Sequence, residues 1–236
     1  MKKIGVLILA AVAIMASMSA HKERLDSYVK SRVVQIVNER GSCSGEQIRT
    51  ASGMDYVLTA AHCKILSKEG SYTVISEDGK KMERKEIAED GYSDLLLLEG
   101  MPGMKGLEIA KYSYPGEHVR TQTHGHAFKT YKTEGVLIQD TIMQIPLFEA
   151  SAPEDYEKCT RMPKYEVIPM DTFFGPMPVC ALSVYETVMT AFIAPGSSGG
   201  PVVDDDGKLV GVVSATGDNY GFIVPTAAIH KFIDNY

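Results

Sequence analysis

A serine flanked by glycines is the residue of this chain best suited to chemistry. The stretch Gly196-Ser197-Ser198-Gly199-Gly200-Pro201 runs into an apolar segment that begins at Val202. Glycine adopts backbone conformations that a side chain forbids, so such a turn can expose a hydroxyl and aim successive amides at one spot. Those amides could stabilise a developing oxyanion. Taken alone, the stretch is more typical of an ordinary loop, so its meaning depends on the rest of the chain.

Two upstream segments carry a histidine and an aspartate that could activate this serine. His62 ends the run Val57-Leu58-Thr59-Ala60-Ala61, and Asp94 directly precedes four leucines. A hydroxyl is a weak nucleophile until a base removes its proton, and histidine titrates near neutral pH. A carboxylate beside the imidazole would orient it and stabilise its protonated form. The three residue types therefore suit acyl transfer, with Ser198 as the nucleophile.

Each of these assignments has a neighbouring rival. Glu89 and Asp90 stand close enough to Asp94 in the sequence to supply the acid instead, and Ser197 stands beside Ser198. Each residue on its own also suits a structural role, such as capping a turn. The coincidence of the His62 and Asp94 segments with the glycine-flanked Ser198 motif, in this order and at these separations, favours catalysis.

The order of the three segments resembles that of the trypsin/chymotrypsin superfamily of serine proteases. TAAHC, SDLLLL and GSSGGP occupy the motif positions in the order histidine, aspartate, serine, whereas α/β-hydrolases and subtilisins use other orders. The C-terminal part, an Asp-Asp-Asp-Gly turn followed by LVGVVS, GFIVP and a short helical segment, is similar to the HtrA (Deg) branch. The resemblance is weaker between residues 140 and 185. We expect no PDZ domain, since the sequence stops after the closing helix.

The resemblance implies a role for each motif residue. Ser198 would be the nucleophile, His62 the general base and Asp94 its partner, because a strand follows the acid and Gly-Gly-Pro follows the serine in the family. The amides of Gly196 and Ser198 would form the oxyanion hole, and Ser214 would support the acid. The residues that the resemblance assigns to substrate binding are Phe192, Ile193, Ser214, Ala215 and Thr216.

Two positions depart from trypsin itself. Ser197 stands where zymogen-type members carry the aspartate that pairs with a newly cut N-terminus, so we expect no such activation. Phe192 stands six residues before the nucleophile, where trypsin carries the acid that selects basic substrates. With Ile193 and Ala215 nearby, the resemblance implies an apolar pocket and cleavage after small or medium apolar residues.

The four cysteines, Cys43, Cys63, Cys159 and Cys180, allow three pairings or four free thiols. The resemblance implies a Cys43–Cys63 bridge, because the cysteine after the catalytic histidine pairs with the preceding strand in the family. That bridge leaves Cys159 to pair with Cys180. We expect no metal ion and no cofactor, since His124-Gly125-His126 offers too few ligands for a zinc site.

Short apolar segments separated by turn signals must position these residues. They lie at residues 32–38, 55–59, 71–76, 95–98, 135–138, 179–184, 201–203, 209–214 and 221–225. This pattern predicts an all-β protein. The resemblance makes the fold two chymotrypsin-like six-stranded β-barrels with a short C-terminal helix, expected over residues 227–234. The first barrel would span about residues 30–112 and the second about 113–236, with a proline-rich insertion at 153–178.

The N-terminus has the layout of a secretory signal peptide. Lys2 and Lys3 precede an apolar run at 4–16 and small residues at 17–20. Cleavage after Ser19 or Ala20 would leave a trypsin-like domain over residues 21–236 in a secreted or periplasmic location, where disulfides form. The small-residue pattern at the cleavage site is imperfect, so an uncleaved membrane anchor is the alternative.

The composition of the chain limits the classes of molecule that the protein is expected to bind. The formal net charge of −6 disfavours a nucleic-acid binder, which needs a basic surface. We expect a protein or peptide substrate, no nucleic acid, and membrane contact only if the N-terminal segment stays uncleaved; the oligomeric state is open. The sequence thus predicts an exported serine endopeptidase that works through an acyl-enzyme. The alternatives are a catalytically silent trypsin-fold binding module, and a self-processing protease with one specific partner.

Overall fold

The architecture is described from a computed structural model over residues 2–39, 41–125, 130–149, 151–160, 165–172, 175–217 and 220–236. Helix α1 (Lys2–Lys30) leads into two β-sheets, and helix α3 (Thr226–Ile233) follows them. The first sheet contains β1 (Val33–Asn38), β2 (Gly41–Arg49), β3 (Asp55–Ala60), β4 (Ser71–Ser76), β5 (Lys81–Asp90), β6 (Leu95–Glu99) and β7 (Leu107–Glu108). The second contains β8 (His118–Thr123), β9 (Tyr131–Glu149), β10 (Tyr165–Thr172), β11 (Gly175–Met189), β12 (Pro201–Val203), β13 (Leu209–Gly217) and β14 (Tyr220–Pro225). Helix α2 (Pro153–Thr160) lies between β9 and β10, and a 3₁₀ helix (Ala61–Leu66) follows β3.

Each sheet closes into a ring. The first runs β1-β4-β5-β6-β3-β2 and returns to β1, and β7 adds to β2 in parallel. The second runs β11-β14-β13-β12-β8-β9 and returns to β11, while β10 pairs with the outer edge of β11. The predicted pair of six-stranded barrels is therefore confirmed. Within the described residues, each barrel carries one further strand.

The four-leucine run of β6 is explained by burial on both faces. Leu96 and Leu98 belong to the cluster inside the first barrel, whereas Leu95 and Leu97 belong to a cluster at the junction of the two barrels. A strand buried on both faces is apolar at every position instead of alternating. The junction cluster includes Val203 and other residues of the second barrel, so it joins the two halves.

The end of α1 packs on this junction. Leu25 and Val29 are buried in the junction cluster. Two polar contacts add to this packing: the side-chain amide of Gln122 donates to the backbone carbonyl of Asp26 at 3.1 Å, and Lys132 Nζ lies 2.5 Å from the Asp26 carboxylate. Residues C-terminal to the expected cleavage site thus form part of the folded domain. None of the described helices is both long and apolar enough to span a membrane.

Strands without an apolar pattern were missed by the sequence analysis. β2 is rich in glycine and serine although most of it is buried, and β5 is highly charged with side chains that alternate between exposed and half-buried. The expected insertion extends the barrel: β9 and β11 continue as an antiparallel ribbon as far as the Glu149↔Val179 pair, with α2 and β10 beside it. The closing helix begins at Thr226, one residue before the expected start.

Candidate active site

His62 lies in the 3₁₀ helix that follows β3, at the edge of the first barrel. Its neighbour Cys63 forms a disulfide with Cys43 of β2, with a Cα–Cα distance of 6.2 Å. The second expected disulfide, Cys159–Cys180, is also present and joins α2 to β11. The first bridge therefore ties the segment carrying His62 to β2.

Asp94 stands directly before β6 and faces His62. Its backbone is left-handed, with φ 53°, a conformation that aspartate tolerates better than most residues. Its Oδ2 lies 2.9 Å from His62 Nδ1 and accepts the Ser214 hydroxyl at 2.8 Å, while Oδ1 accepts the His62 amide at 2.8 Å. The carboxylate is buried and accepts three hydrogen bonds, which stabilise its charge.

The two other candidate acids, Glu89 and Asp90, contact groups other than the His62 ring. Glu89 forms an ion pair with Lys64, and the Asp90 carboxylate accepts the amide of Tyr92 at 3.0 Å. Among the described residues, Asp94 is the carboxylate that contacts the His62 ring.

The surroundings make His62 more basic than an ordinary histidine. Burial alone would lower the pKa of His62, but the hydrogen bond and charge of Asp94, together with the charge of Glu186, outweigh it and raise the pKa. An imidazole of this kind can accept a proton and hold it as a stabilised cation.

Ser198 lies on a turn built from left-handed glycines, with φ 90° at Gly196 and 82° at Gly199. Its Oγ lies 3.4 Å from the carbonyl oxygen of Ser214. In the described part of the chain, that hydroxyl makes no hydrogen bond to His62. The amides of Gly196 and Ser198 have no described acceptor, so both are free to donate to a ligand.

The other candidate nucleophile, Ser197, is buried and hydrogen-bonded inside the protein. Ser197 is fully buried, and its hydroxyl lies 2.7 Å from the Thr123 hydroxyl of β8. The zymogen-type proteases that the sequence resembles carry an aspartate at this position. Here a neutral pair of hydroxyls replaces that charge.

A residue that the sequence analysis did not identify, Ser44 of β2, holds the Ser198 turn from the first barrel. Its hydroxyl donates to the Gly196 carbonyl at 2.9 Å, and its amide donates to the Ser198 carbonyl at 2.8 Å. The same hydroxyl accepts the amide of His124 at 2.8 Å. A side chain at Gly199 would collide with the Ser44 carbonyl, so glycine is required for this close approach. We call this arrangement the Ser44 clamp.

The expected pocket residues divide into two groups. Phe192 is 52% exposed and packs edge-to-face on Tyr131, with 6.3 Å between ring centroids, and Thr216 is also exposed. Ile193 is instead buried in the core of the second barrel, so it can act on a pocket only through packing. Tyr131 was not identified from the sequence because its pairing with Phe192 is a tertiary contact.

Glu186 of β11 is a second buried acid near this site, also unidentified from the sequence. Its side chain is fully buried, and neither carboxylate oxygen has a hydrogen-bond partner among the described residues. Burial raises the pKa of Glu186 to about 7; the Ser214 hydroxyl and His62 oppose this rise, and the Asp94 charge adds to it.

Metal ligation has little support in the described residues. Cys43, His62 and Cys63 lie within reach of a shared ion, but both sulfur atoms are consumed by the disulfide. His124 is buried against Ser44, and His126 lies outside the described residues.

Comparisons with known proteins agree with this fold. The family model for the trypsin-like peptidase domain matches residues 43–212. No curated protein sequence is significantly similar to the chain. Among solved structures, the chain is similar to the active form of the Rv3671c protease from M. tuberculosis, with 18% identity, TM-score 0.64, and 89% of this chain and 82% of that chain covered.

Two further structures share the fold. An inactive serine-to-alanine mutant of Rv3671c from M. tuberculosis H37Rv has 19% identity and TM-score 0.63, with 89% of each chain covered. A serine endoprotease from Yersinia pestis has 18% identity and TM-score 0.62, with 90% of this chain and 65% of that chain covered. Because the family model covers most of the chain and these structures share its architecture, the protein belongs to the trypsin-like peptidase family.

Proposed function

We propose that this protein is an exported serine endopeptidase that uses His62, Asp94 and Ser198 as its catalytic triad. The observation that carries the proposal is the hydrogen-bond chain from Ser214 through Asp94 to His62, beside a glycine-rich turn that presents Ser198 and two free amides.

In the proposed reaction, the Ser198 Oγ attacks a peptide carbonyl while His62 removes its proton. The same imidazole then gives that proton to the leaving amine, and an acyl-enzyme remains for hydrolysis by water. Asp94 stabilises the imidazolium that forms between these steps. The amides of Gly196 and Ser198 stabilise the oxyanion, where loss of one donor costs about 10²–10³ in rate.

The Ser198 hydroxyl must turn towards His62 before it can react. Its Oγ lies 3.4 Å from the carbonyl oxygen of Ser214. Rotation about its Cα–Cβ bond would redirect the hydroxyl, and catalytic hydrogen bonds commonly tighten only when substrate binds. We therefore expect substrate binding to complete the triad.

The proposed specificity is for small or medium apolar residues at the cut. The exposed face of Phe192 and its contact with Tyr131 provide apolar surface beside the nucleophile turn. A peptide library should show this preference. Dominant cleavage after Lys or Arg would contradict it.

Export is the remaining part of the proposal. The two disulfides fit an oxidising compartment, and the N-terminal sequence fits a signal peptide. Mass spectrometry of the protein from its native host should find the N-terminus after Ser19 or Ala20. An intact Met1 would instead indicate an uncleaved anchor.

Fluorophosphonate labelling tests the enzyme assignment. The disulfide-intact protein should be labelled, and Ser198→Ala should abolish labelling. Ser197→Ala should still be labelled, though more slowly, because it leaves the nucleophile in place. Ser52→Ala, at an exposed turn of the first barrel, is the control for mutation itself.

The other two functions correspond to defined outcomes of the same experiment. An absence of Ser198-dependent labelling would favour a silent binding module. Labelling accompanied by a single internal cut, with no turnover of a peptide library, would favour a self-processing protease.

A further inference from the structure

The C-terminal part of α1 packs on one hairpin of the second barrel, which β8 and β9 form. The backbone carbonyl of Asp26 accepts the side-chain amide of Gln122 at 3.1 Å, and the Asp26 carboxylate lies 2.5 Å from Lys132 Nζ. One helical turn earlier, Lys22 Nζ lies 2.9 Å from the Glu134 carboxylate. Because Gln122 lies directly opposite Lys132 in the β8–β9 pairing, α1 holds both strands of the hairpin.

The other face of this hairpin contacts the candidate active site. Successive side chains of a strand point to opposite faces, so Thr123 points away from the face on which Gln122 meets α1. The Thr123 hydroxyl lies 2.7 Å from the hydroxyl of Ser197, the residue before the proposed nucleophile. On β9, Tyr131 likewise precedes a residue that contacts α1, and its ring packs edge-to-face on Phe192. The hairpin therefore lies between α1 and the Ser198 turn.

Apolar packing fixes the helix in this place. Leu25 and Val29 are only 7% and 1% exposed. The β12–β13 turn lies close above the helix, since a side chain at Gly207 would come within 2.7 Å of Leu25 Cδ1 and 3.2 Å of the Tyr28 ring. Exposed ion pairs contribute little stability on their own, so the buried apolar side chains hold the helix. The polar contacts then determine how the hairpin sits against it.

A second link runs through Glu77, in the turn between β4 and β5 of the first barrel. Its Oε1 lies 2.8 Å from Lys30 Nζ, and its Oε2 accepts the Thr130 hydroxyl at 2.6 Å. Burial alone would raise the pKa of Glu77, but the hydrogen bonds from Lys30 and Thr130, together with the charges of Lys30 and His124, lower it. The ionised carboxylate thus ties the end of α1 to the residue before Tyr131.

We propose that Lys22–Lys30, the α1 strap, is a positioning element for the serine-protease reaction: it holds the β8–β9 hairpin against the Ser198 turn and, through Glu77, fixes the contact of Tyr131 with Phe192. This inference rests on the proposed function. The contacts come from side chains and a carbonyl along a helix, so the support does not depend on a free N-terminal amine.

Amide hydrogen exchange tests the strap without requiring activity. In a Ser198→Ala background, Asp26→Lys places a second cation beside Lys132 and should speed exchange in β8 and β9 about fivefold. Adding Lys132→Asp restores a pair of opposite charges and should recover most of the protection. Asp55→Lys is the matched control, because it reverses the Arg49–Asp55 ion pair of the first barrel. Equal exchange in β8 and β9 for Asp26→Lys and Asp55→Lys would overturn the proposal.

The rate of fluorophosphonate labelling tests whether the strap acts on the reaction. Under conditions in which the protein stays folded, Asp26→Lys should slow labelling of Ser198 about three- to tenfold, because the turn loses its fixed position. The variant with both charges exchanged should recover the rate. A lower denaturation midpoint with unchanged labelling of the folded protein would mean that the strap only stabilises the fold. If Asp26→Lys does not fold, Lys132→Gln removes the same pair without repulsion and replaces it in both measurements.

Peptide kinetics test the link through Glu77. Glu77→Ala should raise KM about three- to fivefold and leave kcat within about twofold, because it releases Thr130 beside the proposed pocket and leaves the triad in place. Glu77→Gln keeps an acceptor for the Thr130 hydroxyl and should have a KM closer to that of the wild type. Glu83→Ala is the matched control, since Glu83 accepts the Thr73 hydroxyl at 2.6 Å in the first barrel. Equal KM values for Glu77→Ala and Glu83→Ala would refute this link.

The exchange and kinetic measurements separate this inference from the proposed function. If the wild type neither reacts with the fluorophosphonate nor cleaves peptides, the proposed function fails. The exchange of β8 and β9 in Asp26→Lys still decides whether the strap holds the hairpin.

Discussion

The two disulfides close loops of nearly equal length but sit in different parts of the molecule. Their sequence separations are 20 and 21 residues. Cys43–Cys63 lies between the Ser44 clamp and His62, and Cys63 Sγ is 3.8 Å from the Ser198 carbonyl oxygen. Cys159–Cys180 joins α2 to β11 in the ribbon beyond the barrel. Because cross-linking entropy depends on loop length, both should stabilise the fold similarly, by about 3 kcal/mol. If removing one bridge lowers activity more than removing the other, the difference must then come from where each bridge lies in the fold.

The largest effect is expected from removing the bridge beside His62. Cys43→Ala with Cys63→Ala should lower kcat/KM by about 10² or more, because displacing catalytic groups by about 1 Å has a cost of that size. The free energy of unfolding should fall by about 2–4 kcal/mol. Active-site titration and chemical denaturation would measure both. A fully active double variant would show that the position of this bridge beside His62 does not matter for activity.

The Ser44 clamp should show a smaller effect of the same kind. Ser44→Ala removes the hydroxyl bond to the Gly196 carbonyl and should lower kcat about tenfold with little change in KM, since the amides proposed to stabilise the oxyanion lose a support. Ser183→Ala is the matched control in the ribbon, where the hydroxyl bonds Glu166 on an exposed surface. Equal kinetics for the two variants would show that the clamp does not affect catalysis.

Removing the distal bridge should separate stability from activity. Cys159→Ala with Cys180→Ala should lower the free energy of unfolding by about 2–4 kcal/mol. Its kcat/KM on a short peptide should stay within about threefold of the wild type, because the bridge joins α2 to β11 and includes no segment that carries a proposed catalytic residue. A larger loss would mean that the ribbon communicates with the cleft.

The smallest difference is expected in pH dependence. Because the folded pKa of His62 is raised above its ordinary value of 6.5, kcat/KM should increase with pH through a midpoint above that value. The stabilisation from protonated His62 is present below the unfolded pKa and is lost as pH rises through the folded pKa. The distal double variant should have the same midpoint in a pH–rate profile. A midpoint below 6.5 would contradict the raised pKa.

Prediction from sequence succeeded where local pattern carries the information. Apolar runs revealed β1, β3, β4 and β6, since a strand buried on one or both faces needs apolar side chains. The apolar pattern did not reveal β2, because its N-terminal half consists mostly of glycine and serine. Those small residues are needed because Ser44 and the Gly199 turn approach each other closely. Ile193, which the resemblance assigns to substrate binding, is buried in the core of the second barrel.

By itself, the sequence determined the order of His62, Asp94 and Ser198, the cysteines available for bridges and the all-β class. These follow from short motifs and strand periodicity. Only the tertiary structure decided that Ser44 holds the Ser198 turn from 152 residues away in the chain, and that the Glu186 side chain of β11 is fully buried. The physical reason is that a hydrogen bond or a buried charge depends on distance in space. Barrel closure sets that distance, and no local pattern records it.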